Sequence, residues 1–422
     1  MDTIFALSSG ALPAGIAIVR ISGPRAADAL TSLGGRVPPA RRATTMTLRD
    51  AAGEELDRAL ALWLPGPATA TGEDVAELHL HGGRAVVAAV ERALAVLPGL
   101  RKAEAGEFTR RAFTNGRIDL AEAEGLADLL AAETEGQRRA ALAMAGGGLS
   151  RQVEAWRVEV LTLSAMVEAV LDFGDEDDVG ELPGEFHERV AELAHDIEAW
   201  LARPSAEPLR EGIRVVLAGP PNAGKSSLFN ALIDKEAAIV SRTPGTTRDV
   251  IEQPVAILGV PFVLVDTAGL RDATDDAIEA VGIARAEAEL QRAEIVLWLG
   301  PEGEGPMGAW EVSAKSDLAG VAKRASRVSV SATTGEGIDA LLGALAEAGR
   351  AILPAPGEVA LNRRQREILR EANAALYLQG QLDPLITGER LRLTRVAFDR
   401  LTGRASTEDM LDALFGRFCI GK

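Results

Sequence analysis

A chain of 422 residues, 47% hydrophobic and with a formal net charge of −17, is long enough for two or three domains with proper cores. Its single cysteine excludes a disulfide framework and a Cys-rich zinc site, and suits a reducing compartment. The acidic balance argues against a general nucleic-acid coat, and no window reaches the ~18 uninterrupted apolar residues of a membrane span.

No basic leader precedes the first apolar residues, so a cytoplasmic protein is expected. Cationic side chains are nearly all Arg; Lys occurs only at 102, 225, 235, 315, 323 and 422, which gives weight to any Lys inside a motif. Residues 1 to 118 are punctuated by Gly and Pro. They carry β-like runs at Gly15–Arg20 and Val75–Leu80 and an apolar helical stretch at Ala85–Val96, an α+β texture. His79 and His81 would share one face of a strand, yet nothing nearby in the sequence supplies a third metal ligand.

From 119 the texture turns helical. Leu120, Ala123, Leu126 and Leu130 form one apolar stripe, and Trp156, Val160, Leu163 and Val167 another. The acidic run DFGDEDD (172–178) interrupts the helices and reads as a solvated loop in preference to a metal site. Short apolar strands at 213–219, 261–269, 294–300 and 327–332 then alternate with helical stretches, the rhythm of a parallel sheet covered by helices. Helical texture returns after 358. The organisation expected is therefore multi-domain α/β: an N-terminal α+β domain (1–118), a helical domain in two parts (119–208 and 358–422), and an α/β domain inserted between them (209–357).

GPPNAGKSS (219–227) follows a strand, opens a helix and fits G-x-x-x-x-G-K-[ST], a P-loop. Its glycines let main-chain N–H groups wrap phosphates, Lys225 reaches the β- and γ-phosphates, and the Ser226 hydroxyl suits Mg²⁺. The expected nucleotide contacts are Asn222, Ala223, Gly224, Lys225, Ser226 and Ser227. DTAGL follows downstream with Asp266, Thr267, Ala268 and Gly269, and TPGTTRD (243–249) stands where a switch loop belongs. SATTGEG contributes Ser331 and Ala332, and AKSD contributes Lys315 to pack over a base and Asp317 to read guanine. The GTPase pattern has Asn where Ala314 stands; by analogy with base readout, that contact is worth ~1–3 kcal/mol. The preceding GPEGEGPMGAW is short for a strand–helix–strand passage.

Beyond these motifs the chain resembles, along its whole length, the MnmE (TrmE) family of tRNA-modification GTPases. The resemblance rests on the opening D-T-I-x-A, TGEDVAELHLHGG (71–83), AGEFTRRAFTNGRIDLAEAE (105–124), GPPNAGKSSLFNAL, RTPGTTRDV, DTAGLRDATDDAIEAVGI and the terminal CIGK. It implies a folate-binding-like N-terminal domain that also dimerises, a helical domain, and an inserted Ras-like G domain that hydrolyses GTP. It implies a flavoprotein partner, MnmG (GidA), carrying FAD, and an aminomethyl-type group installed at C5 of the wobble uridine of certain tRNAs. Carried over by motif, Ser226 and Thr247 are Mg²⁺ ligands, and Asn222, Ser241, Thr243 and Thr246 hold K⁺ in place of an arginine finger. Ser241, Thr243, Thr246 and Thr247 thereby join the GTP site, and Glu279 positions the attacking water. Arg20, Glu77, Arg117 and Lys422 are the matching positions for a 5-formyltetrahydrofolate-type ligand.

Cys419 is open to two readings, a catalytic thiol or a small apolar side chain packed beside Phe418 and Ile420. The helix before it has a capping-box start at Ser406 and is expected to bury Leu411, Leu414 and Phe415. NRRQREILR (362–370) offers either a tRNA contact or a solvated helix face. A ribosome-assembly or translation-associated GTPase switch is the rival function. It would share the nucleotide motifs without needing the N-terminal words or the CIGK tail.

Overall fold

The computed structural model describes residues 2–173, 182–236, 251–267, 287–318, 323–377, 383–405 and 408–422. The chain divides into two compact units. One comprises Met1–Ala127, Leu149–Arg157 and Arg395–Lys422, the other Asp128–Gly148 and Val158–Thr394. Each holds one six-stranded sheet among its described residues.

In the first unit the strands are β1 (Thr3–Leu7), β2 (Ala14–Ser22), β3 (Thr44–Arg49), β4 (Glu55–Leu64), β5 (Val75–Gly82) and β6 (Leu100–Lys102), in the order β3-β4-β5-β2-β1-β6. All pairs are antiparallel except β1–β6. Strand alternation sends Ala17, Val19, Ile21, Ala76, Leu78 and Leu80 into a core closed by α1 (Ala26–Gly34) and α2 (Arg84–Ala95). The intervening Arg20, Glu77 and His79 therefore take the other face. Sequence patterning found β2, β5 and α2, but neither the 10-residue β4 nor the short strands β1, β3 and β6.

The C-terminal segment docks on this same unit. Phe415 and Phe418 pack with Ala123, and Leu411 and Leu414 lie half-buried against them. Ile420 bridges Ala105, and Gly421, at φ +96°, sits so close to β1 that a Cβ there would stand 2.0 Å from the Leu7 carbonyl oxygen. Gly106, at φ +69°, is likewise required, since its Cβ would meet the Phe415 carbonyl oxygen at 2.1 Å. The capping residues 406 and 407 lie outside the described residues, as does most of the acidic run from 174.

The stripe Trp156, Val160, Leu163, Val167 on the 26-residue helix Gly148–Phe173 is buried throughout. In the helix Leu120–Ala131, Leu120 and Ala123 are buried, but Leu130 in the last turn is exposed, so that stripe ends one turn earlier than expected.

The second sheet runs β12-β11-β10-β7-β9-β8, with β7 (Ile213–Ala218), β8 (Ile251–Ile257), β9 (Val260–Asp266), β10 (Ile295–Trp298), β11 (Trp310–Ala314) and β12 (Val328–Val330). It is parallel except for β8, an antiparallel edge strand that the expected all-parallel sheet did not include. Between β10 and β11 there is no helix. The passage instead wraps the Trp298 indole, whose N–H donates to the Pro301 carbonyl at 2.8 Å. A Cβ at Gly300 or Gly305 would enter that ring, at 2.4 and 2.7 Å, which explains the glycine-rich composition.

Candidate nucleotide-binding site

β7 lies where the sheet turns both ways, toward β9 on one side and β10 on the other, so the loop after it opens into the crevice at the strands' C-terminal ends. The loop needs special backbone at Gly219 (φ +149°), Asn222 (φ +60°) and Gly224 (φ +98°). At Gly219 a Cβ would come within 3.0 Å of the Gly300 nitrogen. The 12-residue helix that starts at Lys225 points its N-terminus into the crevice, where main-chain N–H groups and the helix dipole favour an anion. Lys225 is 5% exposed, and its ammonium donates to the Gly219 and Pro220 carbonyls at 2.9 Å each. Ser226 and Ser227 are exposed on the first turn.

β9 ends on Asp266, which is 1% exposed and stands opposite Leu217 of β7. The Thr267 hydroxyl donates to the Leu217 carbonyl at 2.8 Å, fastening the start of DTAGL to the P-loop strand. Lys315, at φ +60°, donates to the Asn222 carbonyl at 2.7 Å, so AKSD and the P-loop are tied directly. Asp317 is exposed. Ser331 is fully buried, and its hydroxyl accepts the Thr334 N–H at 3.2 Å to close the SATTGEG turn, with half-buried Ala332 beside it. Ala268, Gly269, Ser241, Thr243, Thr246, Thr247 and Glu279 lie outside the described residues.

Asn222, Ala223, Ala314 and Lys315 share a cleft of about 410 Å³ with Leu299 and Lys323. Lys323 was not among the expected site residues. Its ammonium donates to the Trp298 carbonyl at 2.8 Å and pairs with Glu311 at 2.6 Å, holding together the strands that lack a helix between them. The scarcity of Lys in the sequence was the signal that could have singled it out.

In the first unit Arg20 and Glu77 are cross-strand partners joined by two guanidinium contacts of 2.9 Å, with the Arg20 guanidinium 5.8 Å from the centre of the Phe108 ring. His79 lies 3.4 Å from the second Glu77 oxygen. His81 faces Asp57 instead, at 2.7 Å. Arg117 is exposed, its stem beside Gly72, and Lys422 is half-buried at the tip of the docked tail. Cys419 is exposed, so the packed reading of its thiol does not hold; the burial falls on Phe418, while Ile420 is 64% exposed.

The words TGED and AGEFTRR gain a physical account that sequence reasoning missed. Arg111 reaches Asp2 at 2.8 Å, Glu107 at 3.0 Å and Glu73 at 3.2 Å, and Arg101 also pairs with Asp2 and Glu107. Burial works to raise the Glu107 carboxyl, but hydrogen bonds from Arg101, the Glu104 N–H and Arg111 outweigh it and hold the group below its ordinary value. The hydrogen bond from Arg101 does the same for Asp2. Of the Arg-rich stretch at 362–370, Arg366 is engaged with the Leu201 and Arg203 carbonyls at the end of the helix Gly184–Ala202, a capping role.

Comparison with known proteins covers the whole chain. Residues 3–117 match the family described as GTP-binding protein TrmE N-terminus, and residues 120–419 match the MnmE helical domain. Among similar curated proteins, the tRNA modification GTPase MnmE of Erythrobacter litoralis is 63% identical with all of both chains covered. Its counterpart in Novosphingobium aromaticivorans is 60% identical, again over both full lengths. That of Rhizorhabdus wittichii is 58% identical over all of this chain and 97% of its own. With the P-loop built at the head of a parallel sheet and both families matched in order, this chain belongs to the tRNA modification GTPase MnmE family.

Proposed function

We propose that this chain hydrolyses GTP in a catalytic cycle and, with a flavoprotein partner of the MnmG kind that carries FAD, installs an aminomethyl-type group on C5 of the wobble uridine of certain tRNAs. Its proposed organisation is a folate-binding and dimerising domain at 1–118, a G domain at 209–357, and a helical domain built from 119–208 and 358–422, in the cytoplasm. The single observation that carries the nucleotide half is the loop 219–225. It combines three positive-φ positions, a helix N-terminus and a Lys whose ammonium rests on the loop's own carbonyls. That ammonium is held over the loop, where it can exchange carbonyl partners for phosphate oxygens without a long search of rotamers.

The donor chemistry suits the ions the family uses. Ser226, at the start of its helix, offers a hard oxygen donor as Mg²⁺ requires, with Thr247 as the further ligand and Asp266, closing β9, holding the ion through water. Asn222, exposed on the loop, would hold K⁺ with Ser241, Thr243 and Thr246. Bound cations supply positive charge against the negative charge that builds on the transferring phosphoryl group. The protein's own part is positional: Lys225 grips the phosphates, Lys315 and Asp317 hold the base, Ser331 and Ala332 close over it, and Glu279 orients the attacking water. In the first unit Arg20 and Glu77, with Arg117 and Lys422, offer paired charge for the anionic tail and donor–acceptor edge of a folate.

The deciding experiment is the GTP hydrolysis rate of the purified chain in potassium and in sodium at equal ionic strength. Strong acceleration in potassium is expected; equal, slow rates in both would remove the cation from the mechanism. Glu279→Ala should keep GTP binding and slow hydrolysis by about 10²–10⁴-fold, and an unchanged rate would move the water-positioning role elsewhere. A deletion strain tests the tRNA half. Loss of the modified wobble uridine is expected, whereas normal modification with precursor ribosomal subunits would favour the assembly-factor alternative.

A further inference from the structure

Guanine presents N1–H and a 2-amino group on one edge and the acceptors O6 and N7 on another. Asp317, exposed just past β11, is acceptor-only when ionised and suits the donor edge. The other edge needs donors.

Residue 314 is the side chain placed to supply one. It closes β11, lines the cleft, and abuts the P-loop so closely that a Cβ on Gly224 would stand 3.9 Å from the Ala314 Cβ. A methyl group donates nothing. The adjacent Lys315 ammonium already donates to the Asn222 carbonyl at 2.7 Å, and the Lys323 ammonium is engaged with Trp298 and Glu311. Among the described residues the Asn222 amide belongs to the proposed cation site and the Ser316 hydroxyl is shut off from solvent, so what remains for the acceptor edge is main chain at Ser331–Ala332, where the Ser331 N–H is itself bonded to the Glu336 carbonyl at 2.9 Å.

Resting on the GTP reading above, we infer that this protein selects guanine by Asp317 and main chain alone and leaves N7 unread. Its discrimination is concentrated on the N1–H and 2-amino edge, and it takes guanine nucleotides altered at N7 as readily as GTP. The cleft of about 410 Å³ beside residue 314 leaves room for a larger side chain, so the missing contact is restorable by Ala314→Asn.

The test is displacement of a fluorescent methylanthraniloyl-GDP from the intact chain, with Mg²⁺, by GTP, 7-deaza-GTP, ITP and ATP. GTP and 7-deaza-GTP should compete within about twofold of each other, while ITP, which lacks the 2-amino group, should be weaker by about tenfold, the size of one good base contact. Ala314→Asn should open a gap of about fivefold or more in favour of GTP over 7-deaza-GTP. Two results on the parent chain, needing no variant, would overturn the inference: a tenfold loss with 7-deaza-GTP, or ITP binding as tightly as GTP. Displacement by ATP in preference to GTP, or by no nucleotide at all, would instead overturn the guanine reading beneath it.

Discussion

The two sheets build their polar groups in opposite places. In the P-loop sheet the described candidate groups gather at the strands' C-terminal ends: Gly219 after β7, Asp266 closing β9, Ala314 closing β11 and Ser331 after β12. In the N-terminal sheet Arg20, Glu77 and His79 sit in mid-strand, on the face turned away from the core under α1 and α2. Parallel strands buried on both faces leave only their ends for chemistry, whereas an antiparallel sheet can keep one face for polar groups. One arrangement is written as contiguous loops. The other is written at alternate positions of strands 57 residues apart in sequence.

The sharpest way to break this contrast is Lys225→Ala, which removes the only Lys of the phosphate loop. Nucleotide affinity should fall by at least about 100-fold, the value of a charge-assisted contact to phosphate, while the N-terminal unit keeps its fold. Tight GTP binding by the variant in the displacement assay would mean that the end-of-strand site is not where phosphates bind. Next in size is Gly421→Ala, which tests whether the N-terminal sheet depends on the far end of the chain. Its Cβ would collide with the Leu7 carbonyl at 2.0 Å, and the φ of +96° is itself unfavourable, so the tail should undock at a cost of about 2–3 kcal/mol. Hydrogen exchange over residues 415–422 reads this directly. Unchanged protection would show that the tail is held by Phe415 and Phe418 without Gly421.

Legibility in the sequence follows the same division. The P-loop, DTAGL and SATTGEG were readable because a tight phosphate loop forces particular residue types at fixed spacing, and the long buried helix declared itself through Trp156, Val160, Leu163 and Val167. The N-terminal cluster was readable only through family resemblance. Arg20 and Glu77 alone look like surface charges, and only strand register makes them a pair. Short strands such as β6, three residues long, carry too little pattern to detect. The missing helix between β10 and β11 was visible as a length deficit, yet its substitute, the Trp298 ring under Gly300 and Gly305, needs three dimensions. For Cys419 the sequence alone leaves packing and thiol chemistry open; the docked tail buries Phe418 and Gly421 and leaves the thiol exposed.

A smaller effect sharpens the mid-strand half. Arg20 and Glu77 retain side-chain exposures of 26% and 16%, between surface pairs and buried ones. Arg20→Ala should therefore cost about 1–2 kcal/mol, largely through leaving half-buried Glu77 without its guanidinium partner. Arg20→Lys should recover only part of this, because an ammonium cannot make the two-pronged contact. Urea unfolding of the two variants measures both, and equal stability of Lys and Ala at this position would show that the fork geometry is irrelevant.

The smallest effect is electrostatic and belongs to the N-terminal unit. Asp2 and Glu107 both have native carboxyls held below their ordinary values of 3.8 and 4.5 by Arg101 and Arg111. Because each is depressed on folding, the unfolded chain binds more protons through that interval, and stability rises with pH there. The contribution is complete above about pH 4.5 and is lost as pH falls through the depressed native values. Each pair is partly exposed, so the loss should be about 1 kcal/mol or less per carboxylate. Thermal unfolding monitored between pH 6 and 3 should show the loss in the parent chain and a shallower one in Glu107→Gln, whose amide keeps the shape but cannot titrate. An identical acid limb in parent and variant would place the acid sensitivity of this unit outside the Arg101–Arg111 cluster, and with it the purpose of the TGED and AGEFTRR words.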